Sequence, residues 1–474
     1  MERKEIKEQE IKFLLQENKK NPELFKREEI IDDIPFLEKI GVFFAEEQKE
    51  NISNGYLKIW PHDFIVEETS KDGLVETVDI DEFFDRDKDF SNEDLTIYAT
   101  LVKCMTSTFE AVEEISKTLG IDKKNIQFAG IKDKDALTSQ LISIRGADIE
   151  RVKEISSPYF FLKNIYSGKG AVEVGSLKGN KFTILVRTDK SFNEEHFLRN
   201  LEEIKENGFF NFFYSQRFGS PRFINWFWGL LILRGEYRNA VLSFLSSEGE
   251  REVEYFKNIR KEIKENFGKW DKVEEILKPF PLILQNETRV VKYLKKHPSD
   301  FIGALSQIPE QIQLWTFAYG SLLFNRKISE CIRENKEVPE RLPLILSKDK
   351  NDWIEYYDFL KEDGISTLPL NNLKPFPHIQ WKKRLIKTKE TVQIHNIKVI
   401  PEGVILSFSL PKACYATTFL SHLFYLISAA PNEKIQDNTI DLKKELGEED
   451  IQDVLERFKD ISHSKTQNIF TKEE

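Results

Sequence analysis

Cysteine, methionine and histidine are all scarce in this 474-residue chain, with three, two and seven copies. Cys104, Cys331 and Cys414 lie far apart and in no metal-like spacing. So sparse and odd a count excludes a disulfide framework and fits a reducing compartment. No C-x-x-C pair and no H-E-x-x-H occur, so no zinc site is expected. There is no G-x-x-x-x-G-K-[ST] phosphate loop, no G-x-G-x-x-G turn and no G-x-S-x-G elbow. An enzyme built on this sequence works with side chains alone, so the expectation is no metal and no cofactor. No apolar run reaches the roughly 18–20 residues of a membrane span. The longest, around Trp226–Leu233, sits inside an aromatic segment. The N-terminus, Met-Glu-Arg-Lys-Glu-Ile-Lys, lacks the apolar core of a signal peptide. A soluble, cytoplasmic, monomeric protein with no membrane partner is expected.

What the chain does have is apolar bulk and unevenly placed charge. Hydrophobic residues make up 40% and aromatics 12%, with Phe at 37 copies, enough to bury sizeable cores. The length fits two or three domains. A net charge of −10 speaks against a nucleic-acid partner until it is mapped. The acidic surplus lies in the two ends, 1–50 and 432–474, and the body between them is close to neutral. Within that body, Ile115–Lys190 carries 14 basic and 8 acidic residues. Such a window is a candidate phosphate-binding patch, or the positive stretch that any long chain contains.

Apolar spacing at Ile11, Phe13, Leu14, Ile30, Ile31, Phe36 and Leu37 predicts two or three short helices on a polar N-terminal arm. Strands are predicted at Phe64–Val66, Thr96–Leu101, Ile126–Gly130, Gln140–Arg145 and Lys181–Arg187. A helix with a Ser107-x-x-Glu110 capping box is predicted to run to Gly120, and another spans roughly Asn193–Glu206. From Gly208 the composition turns aromatic and then helical. Strands return over Glu390–Leu410, closed by a helix at about Thr417–Ser428. Strands, helices, then strands again indicate an α+β domain with a mixed or antiparallel sheet, interrupted by a mainly helical insertion. The expected divisions are a charged helical extension (1–49), the first part of the catalytic domain (50–207), the insertion (208–386), the second part (387–430) and an acidic, partly disordered tail (431–474).

The most informative segment is Phe128-Ala-Gly-Ile-Lys-Asp-Lys-Asp-Ala-Leu-Thr-Ser-Gln140. It puts Lys132 and Asp133 on a loop held between two strands, where a carboxylate can be placed accurately. The residues alone leave two readings open, a solvated turn of alternating charge or a catalytic carboxylate. The segment resembles the signature of the TruD family of pseudouridine synthases, roughly F-A-G-x-K-D-[KR]-x-A-x-T-x-Q. Further segments resemble the family's motifs in the family's order. They are Gly55–Glu67, Gly179–Arg187, Asn211–Gly219, Ala318–Arg326 and Phe408–Thr417. The chain departs from the pattern at Tyr214 and Ser215, after Gly219, and at Ser421-His422.

The resemblance implies the family's catalytic domain with its TRUD insertion, and isomerisation of a uridine in structured RNA. The RNA implied is transfer RNA, at the uridine numbered 13. The reaction breaks the N-glycosidic bond, turns the uracil and rejoins it through C5, with no redox change or group transfer. It implies Asp133 as the catalytic carboxylate and Lys58 as its basic partner, which keeps it ionised. Phe64, Asn180 and Phe182 would line the uridine pocket. Lys132, Gln140 and Arg187 complete the expected substrate-binding set, with Lys132 ranked below Lys58. The insertion, with Arg217, Arg222 and its aromatic cluster, would wall an RNA cleft. On the residues alone, Phe64 and Phe182 are equally ordinary core. A catalytically silent RNA-binding or chaperone protein on the same scaffold is the alternative, and an Asp-dependent nucleoside hydrolase a third reading.

Overall fold

The computed structural model describes residues 3–26, 30–44, 52–80, 96–344, 349–365, 369–379, 384–428 and 434–462. The chain forms two compact units, one of Asn51–Phe209 with Thr391–Glu473 and one of Met1–Glu50 with Phe210–Glu390.

The first unit is built on a mixed sheet. Its strands are β1 (Ser53–Tyr56), β2 (Phe64–Ser70), β3 (Thr96–Cys104), β4 (Ile126–Phe128), β5 (Leu137–Arg145), β6 (Phe160–Gly168), β7 (Leu177–Arg187), β8 (Gln393–Ile400), β9 (Gly403–Pro411) and β10 (Phe424–Ser428). Across the sheet they run β8-β9-β7-β2-β5-β3-β6, with β4 continuing the β2 edge of β5. The pairs β2–β5 and β1–β10 are parallel and the others antiparallel. Asn180 of β7 lies opposite Glu68, Phe182 opposite Val66, and Ile184 opposite Phe64. Because side chains alternate across a strand, Phe64, Glu68, Asn180 and Phe182 share one face. At Gly179 an added Cβ would come within 2.1 Å of the Leu410 carbonyl, so the close approach of β9 beside Asn180 requires a glycine.

Each face of the sheet is covered. On the site's face, the helix Thr108–Leu119 buries Ala111, Val112, Ile115 and Leu119 against Leu101, Ile142 and Ile144. Its start is fixed by the expected capping box, and Gly120 ends it in the left-handed region at φ 70°. On the opposite face, Ile65, Val102, Leu137 and Leu185 pack against Leu442, Leu446, Ile451, Val454 and Phe458. The acidic tail is therefore folded from residue 434 to residue 462 and supplies core; residues beyond lie outside the described part.

Three of these ten strands escape the sequence reading. β6 carries a buried Lys163 paired with Asp79 at 2.6 Å and a left-handed Asn164 at a bulge, which together mask its alternation. β1, Ser-Asn-Gly-Tyr, has almost no apolar pattern to read. The third, β10, occupies residues read as helix. The helix there spans only Ala416–Leu420. The Ser421 hydroxyl donates to the Thr418 carbonyl at 2.8 Å, and the His422 ring nitrogen meets the same carbonyl at 2.8 Å. Those side chains take the acceptor that the next helical turn would use, and the chain leaves as a strand.

In the second unit the N-terminal arm is one 18-residue helix, Arg3–Lys20, followed by shorter pieces. It docks by side-chain chemistry. Glu10 accepts from the backbone N–H of Leu282 and Ile283, Phe13 meets Phe280 edge-on, and Asp32 pairs with Arg251. The 25-residue helix Pro309–Arg333 packs on Asn225–Leu233. Arg222 does not face solvent. It is buried and donates to the carbonyls of Ser243, Phe244 and Ser247, so the expected RNA contact from its guanidinium is corrected to a structural one. Among the described residues no helix is long and apolar enough to cross a membrane.

Candidate active site

The loop between β4 and β5 is pinned along its length. The Ala129 carbonyl accepts from Gly175 N–H at 2.7 Å, and the Gly130 carbonyl from the Gln140 amide at 3.0 Å. Thr108 bridges, its hydroxyl donating to Gln140 at 3.0 Å and accepting from Lys132 N–H at 3.1 Å. Beneath the loop, Lys103 Nζ donates to the Asp133 backbone carbonyl at 2.5 Å and to that of Thr106 at 2.9 Å. Four successive anchors hold the Asp133 backbone while its side chain remains 48% exposed.

Lys58 Nζ reaches the Asp133 carboxylate at 2.8 Å. It comes from the turn after β1, where its backbone adopts φ 53°, a left-handed conformation rare for a lysine. Its ammonium also lies 4.3 Å from the centroid of Phe64. The surrounding protein pushes the Asp133 carboxyl upward. Lys58, by charge and hydrogen bond, with Lys103 and Lys132 behind it, outweighs that and holds it below the usual value of 3.8. A pair this exposed contributes under about 1 kcal/mol to folding. The fold does not depend on it, yet a strained lysine is placed to make it.

Beside the pair, Phe64 meets Phe182 edge-on at 6.4 Å, and Phe182 stacks on Phe408 at 5.3 Å. Phe64 is 3% exposed and Phe182 6%, so both are packed as core and present little more than an edge. Asn180 is partly exposed, and its side-chain carbonyl accepts from Lys132 Nζ at 2.8 Å. Because lysine can only donate, that contact turns the Asn180 amide N–H2 away from Lys132. Lys132 is itself buried, paired with the equally buried Glu68 at 2.6 Å. Burial pushes the Glu68 carboxyl up, against the pull of Lys132.

The structure therefore brings Asp133, Lys58, Phe64, Asn180 and Phe182 together and ties Lys132 to them through Asn180. Gln140 and Arg187 stand apart from a substrate surface. Gln140 is fully buried, its amide spent on the loop anchors. Arg187 is also fully buried. It forms a two-pronged pair with Asp63 at 2.9 and 2.8 Å and donates to the carbonyls of Gln436 and Asn438. Its guanidinium ties the Pro61–Asp63 turn to the C-terminal segment, which corrects its expected contact with substrate. Lys163 is buried as well, so three cations of the basic window, with Lys132 and Arg187, never reach the surface.

Sequence reasoning missed Lys103, Thr108, Glu68 and Phe408. Lys103 did carry a signal, as a lone cation in Thr-Ile-Tyr-Ala-Thr-Leu-Val-Lys-Cys, a strand otherwise suited to complete burial. Among the described residues no group of three or more His, Cys, Asp or Glu is arranged to hold a metal ion.

A carboxylate on a braced loop, a lysine at salt-bridge distance and two aromatics on one face of a mixed sheet define a side-chain-based site. The family model of tRNA pseudouridine synthase D (TruD) matches residues 47–351. The chain belongs to that family, whose members are pseudouridine synthases, a class of isomerase. It is 32% identical over 413 residues to an Archaeoglobus fulgidus protein named "Probable tRNA pseudouridine synthase D", covering 77% of this chain and 93% of that one. With the Aquifex aeolicus tRNA pseudouridine synthase D it shares 29% over 373 residues, 69% of this chain and 91% of that one. A Thermococcus sibiricus relative is 33% identical over 297 residues, a match spanning 64% of that protein's length. Among solved structures, a Methanosarcina mazei protein titled "Putative tRNA pseudouridine synthase D (TruD)" superposes with a TM-score of 0.59 at 25% identity. That match covers 82% of this chain and 97% of the other.

Proposed function

We propose that this protein converts a uridine of transfer RNA, the one numbered 13, to pseudouridine, with Asp133 as the reacting carboxylate and no cofactor. The observation that carries the reading is the 2.8 Å Lys58–Asp133 pair on a fourfold-anchored loop, inside a family motif. A carboxylate that stays ionised at neutral pH is what attack at the ribose, or proton removal from it, demands. Lys58 holds it in that state, and can follow the charge as the carboxylate forms its bond to carbon. Asn180 presents its amide N–H2 toward the uracil edge, with Lys132 and Glu68 fixing its orientation. Phe182 offers the target base an apolar edge, stiffened from behind by Phe408. A base turned out of an RNA stack costs a few kcal/mol, and an aromatic contact returns roughly 1–3 kcal/mol of that. Arg145, Lys169, Lys178 and Lys190, exposed cations of the β-sheet unit, are candidates for phosphate contact, which added salt would weaken.

The test is direct. Purified protein is incubated with transcribed transfer RNA bearing a uridine at position 13, and the digested nucleosides are separated. Pseudouridine is expected from the wild-type chain and none above background from Asp133→Asn, with RNA binding retained. Undiminished product from that variant would remove Asp133 from the reaction. No product from wild type, with tight RNA binding, would instead favour a silent RNA-binding protein. Free uracil with abasic RNA would favour a hydrolase.

A further inference from the structure

We propose that Lys103 is a positioning residue for the Asp133 loop, its buried ammonium fixing the Asp133 backbone. The proposal rests on the reading that Asp133 is the reacting group. Lys103 is wholly buried and lies in register opposite Thr138 and Phe160, which places it on the same face as Phe182 and Asn180. Its two hydrogen-bond acceptors are backbone carbonyls, those of Asp133 and Thr106, and neither is a carboxylate. Burying an ammonium against neutral acceptors is costly, and an apolar residue would fill the same strand position at less cost. What the cation adds is a charge-assisted bond that clamps the residue carrying the proposed reacting group.

The ionisable groups whose charge acts on Lys103 are Asp133, Cys104, Lys58 and Asp135. Burial lowers the Lys103 pKa to about 8, with Asp133 pulling the other way and Lys58 adding to the fall. The ammonium is the clamping form, so the clamp is intact below that pH and weakens as pH rises through about 8. A lysine that served only the fold would alter stability and leave the pH profile of the chemical step untouched.

The experiment is single-turnover pseudouridine formation by the full chain, in excess over the same transcribed transfer RNA, between about pH 6.5 and about pH 9.5. The wild-type rate constant should fall roughly fivefold as pH passes the Lys103 pKa, the difference between a charge-assisted and a neutral bond. Lys103→Arg keeps the charge and should move that fall out of range. Lys103→Met should lower the rate about 100-fold at every pH, with RNA affinity unchanged within about twofold. A wild-type profile that stays flat, a fall that persists in Lys103→Arg, or a wild-type rate in Lys103→Met would each overturn the proposal. Should Lys103→Met not fold, the wild-type and Lys103→Arg profiles decide alone. If the wild-type chain forms no pseudouridine at any pH, the functional reading has failed. Positioning is then judged by amide hydrogen exchange over 130–136, where Lys103→Met should lose roughly tenfold protection. Unchanged protection there would overturn the clamp.

Discussion

Two ion pairs of the sheet unit have the same length and opposite characters. Arg187–Asp63 and Lys58–Asp133 each span 2.8 Å. The first is wholly buried, and its guanidinium also holds the carbonyls of Gln436 and Asn438, leaving little for a ligand to use. The second is open, 22% exposed at the lysine and 48% at the aspartate, and the carboxylate is held in place by its backbone. Burial makes the first a brace of the fold, and exposure makes the second available to chemistry. Both residues of each pair fall within or beside family motifs, so a motif match alone does not separate the two roles; accessibility does.

The sharpest way to break this comparison is to remove one carboxylate from each pair and measure both rate and stability. Asp133→Asn should lower pseudouridine formation by roughly a thousandfold or more, as loss of a reacting group does. It should cost less than about 1 kcal/mol in urea unfolding, in keeping with an exposed pair. Asp63→Asn should reverse the pattern. It leaves a buried guanidinium without its counter-charge, which costs about 3–5 kcal/mol. The rate per folded molecule should stay within about tenfold of wild type. A destabilised Asp133→Asn with a near-normal rate, or a stable and inactive Asp63→Asn, would exchange the two roles.

A smaller effect tests the aromatic side of the site. Phe182→Leu keeps most of the apolar volume between Phe64 and Phe408 and removes the ring. The expected loss is about tenfold in kcat/KM, the lower end of what base stacking contributes. Stability should change by under about 1.5 kcal/mol, as for other hydrophobic exchanges of similar volume. If kcat/KM holds while stability falls by several kcal/mol, Phe182 is core only, as its 6% exposure permits.

Much of the fold could be read from local pattern. The Ser107–Glu110 capping box, the strands around Val66, Thr96 and Ile184, and the helices of the second unit follow from periodicity and end signals. The candidate site was legible through its motifs, which put forward Lys58, Asp133 and Asn180 without any geometry. The misses share a cause, which is that their meaning is non-local. Lys163 in β6 looks like a surface lysine until Asp79, eighty-four residues earlier, is seen to pair with it. Phe424–Ser428 becomes a strand because β1 offers it a parallel edge. Arg187 looked available for substrate because Gln436 and Asn438, which consume its donors, lie in a tail without recognisable motifs. Buried polar partners far apart in sequence leave no periodic trace in either segment.

The smallest expected effect concerns pH and sets Asp133 against the other carboxylate of the site. Asp133 titrates below its ordinary 3.8, so its ionised form stabilises the fold. That contribution is complete above 3.8 and is lost as pH falls through the folded-state pKa. Glu68 runs the other way. Burial raises it above its ordinary 4.5, so its protonated form suits the folded chain better. Its contribution is full below 4.5 and is lost as pH rises through the folded-state pKa. Asp133→Asn should therefore flatten a rise in Tm with pH below about pH 4, and Glu68→Gln should flatten a fall above about pH 4.5. Carbon-13 titration of the two carboxyls in the wild-type chain should place Asp133 below Glu68. The reverse order would mean that Lys58 does not hold Asp133 ionised, and that the exposed pair lacks the charge state its proposed chemistry needs.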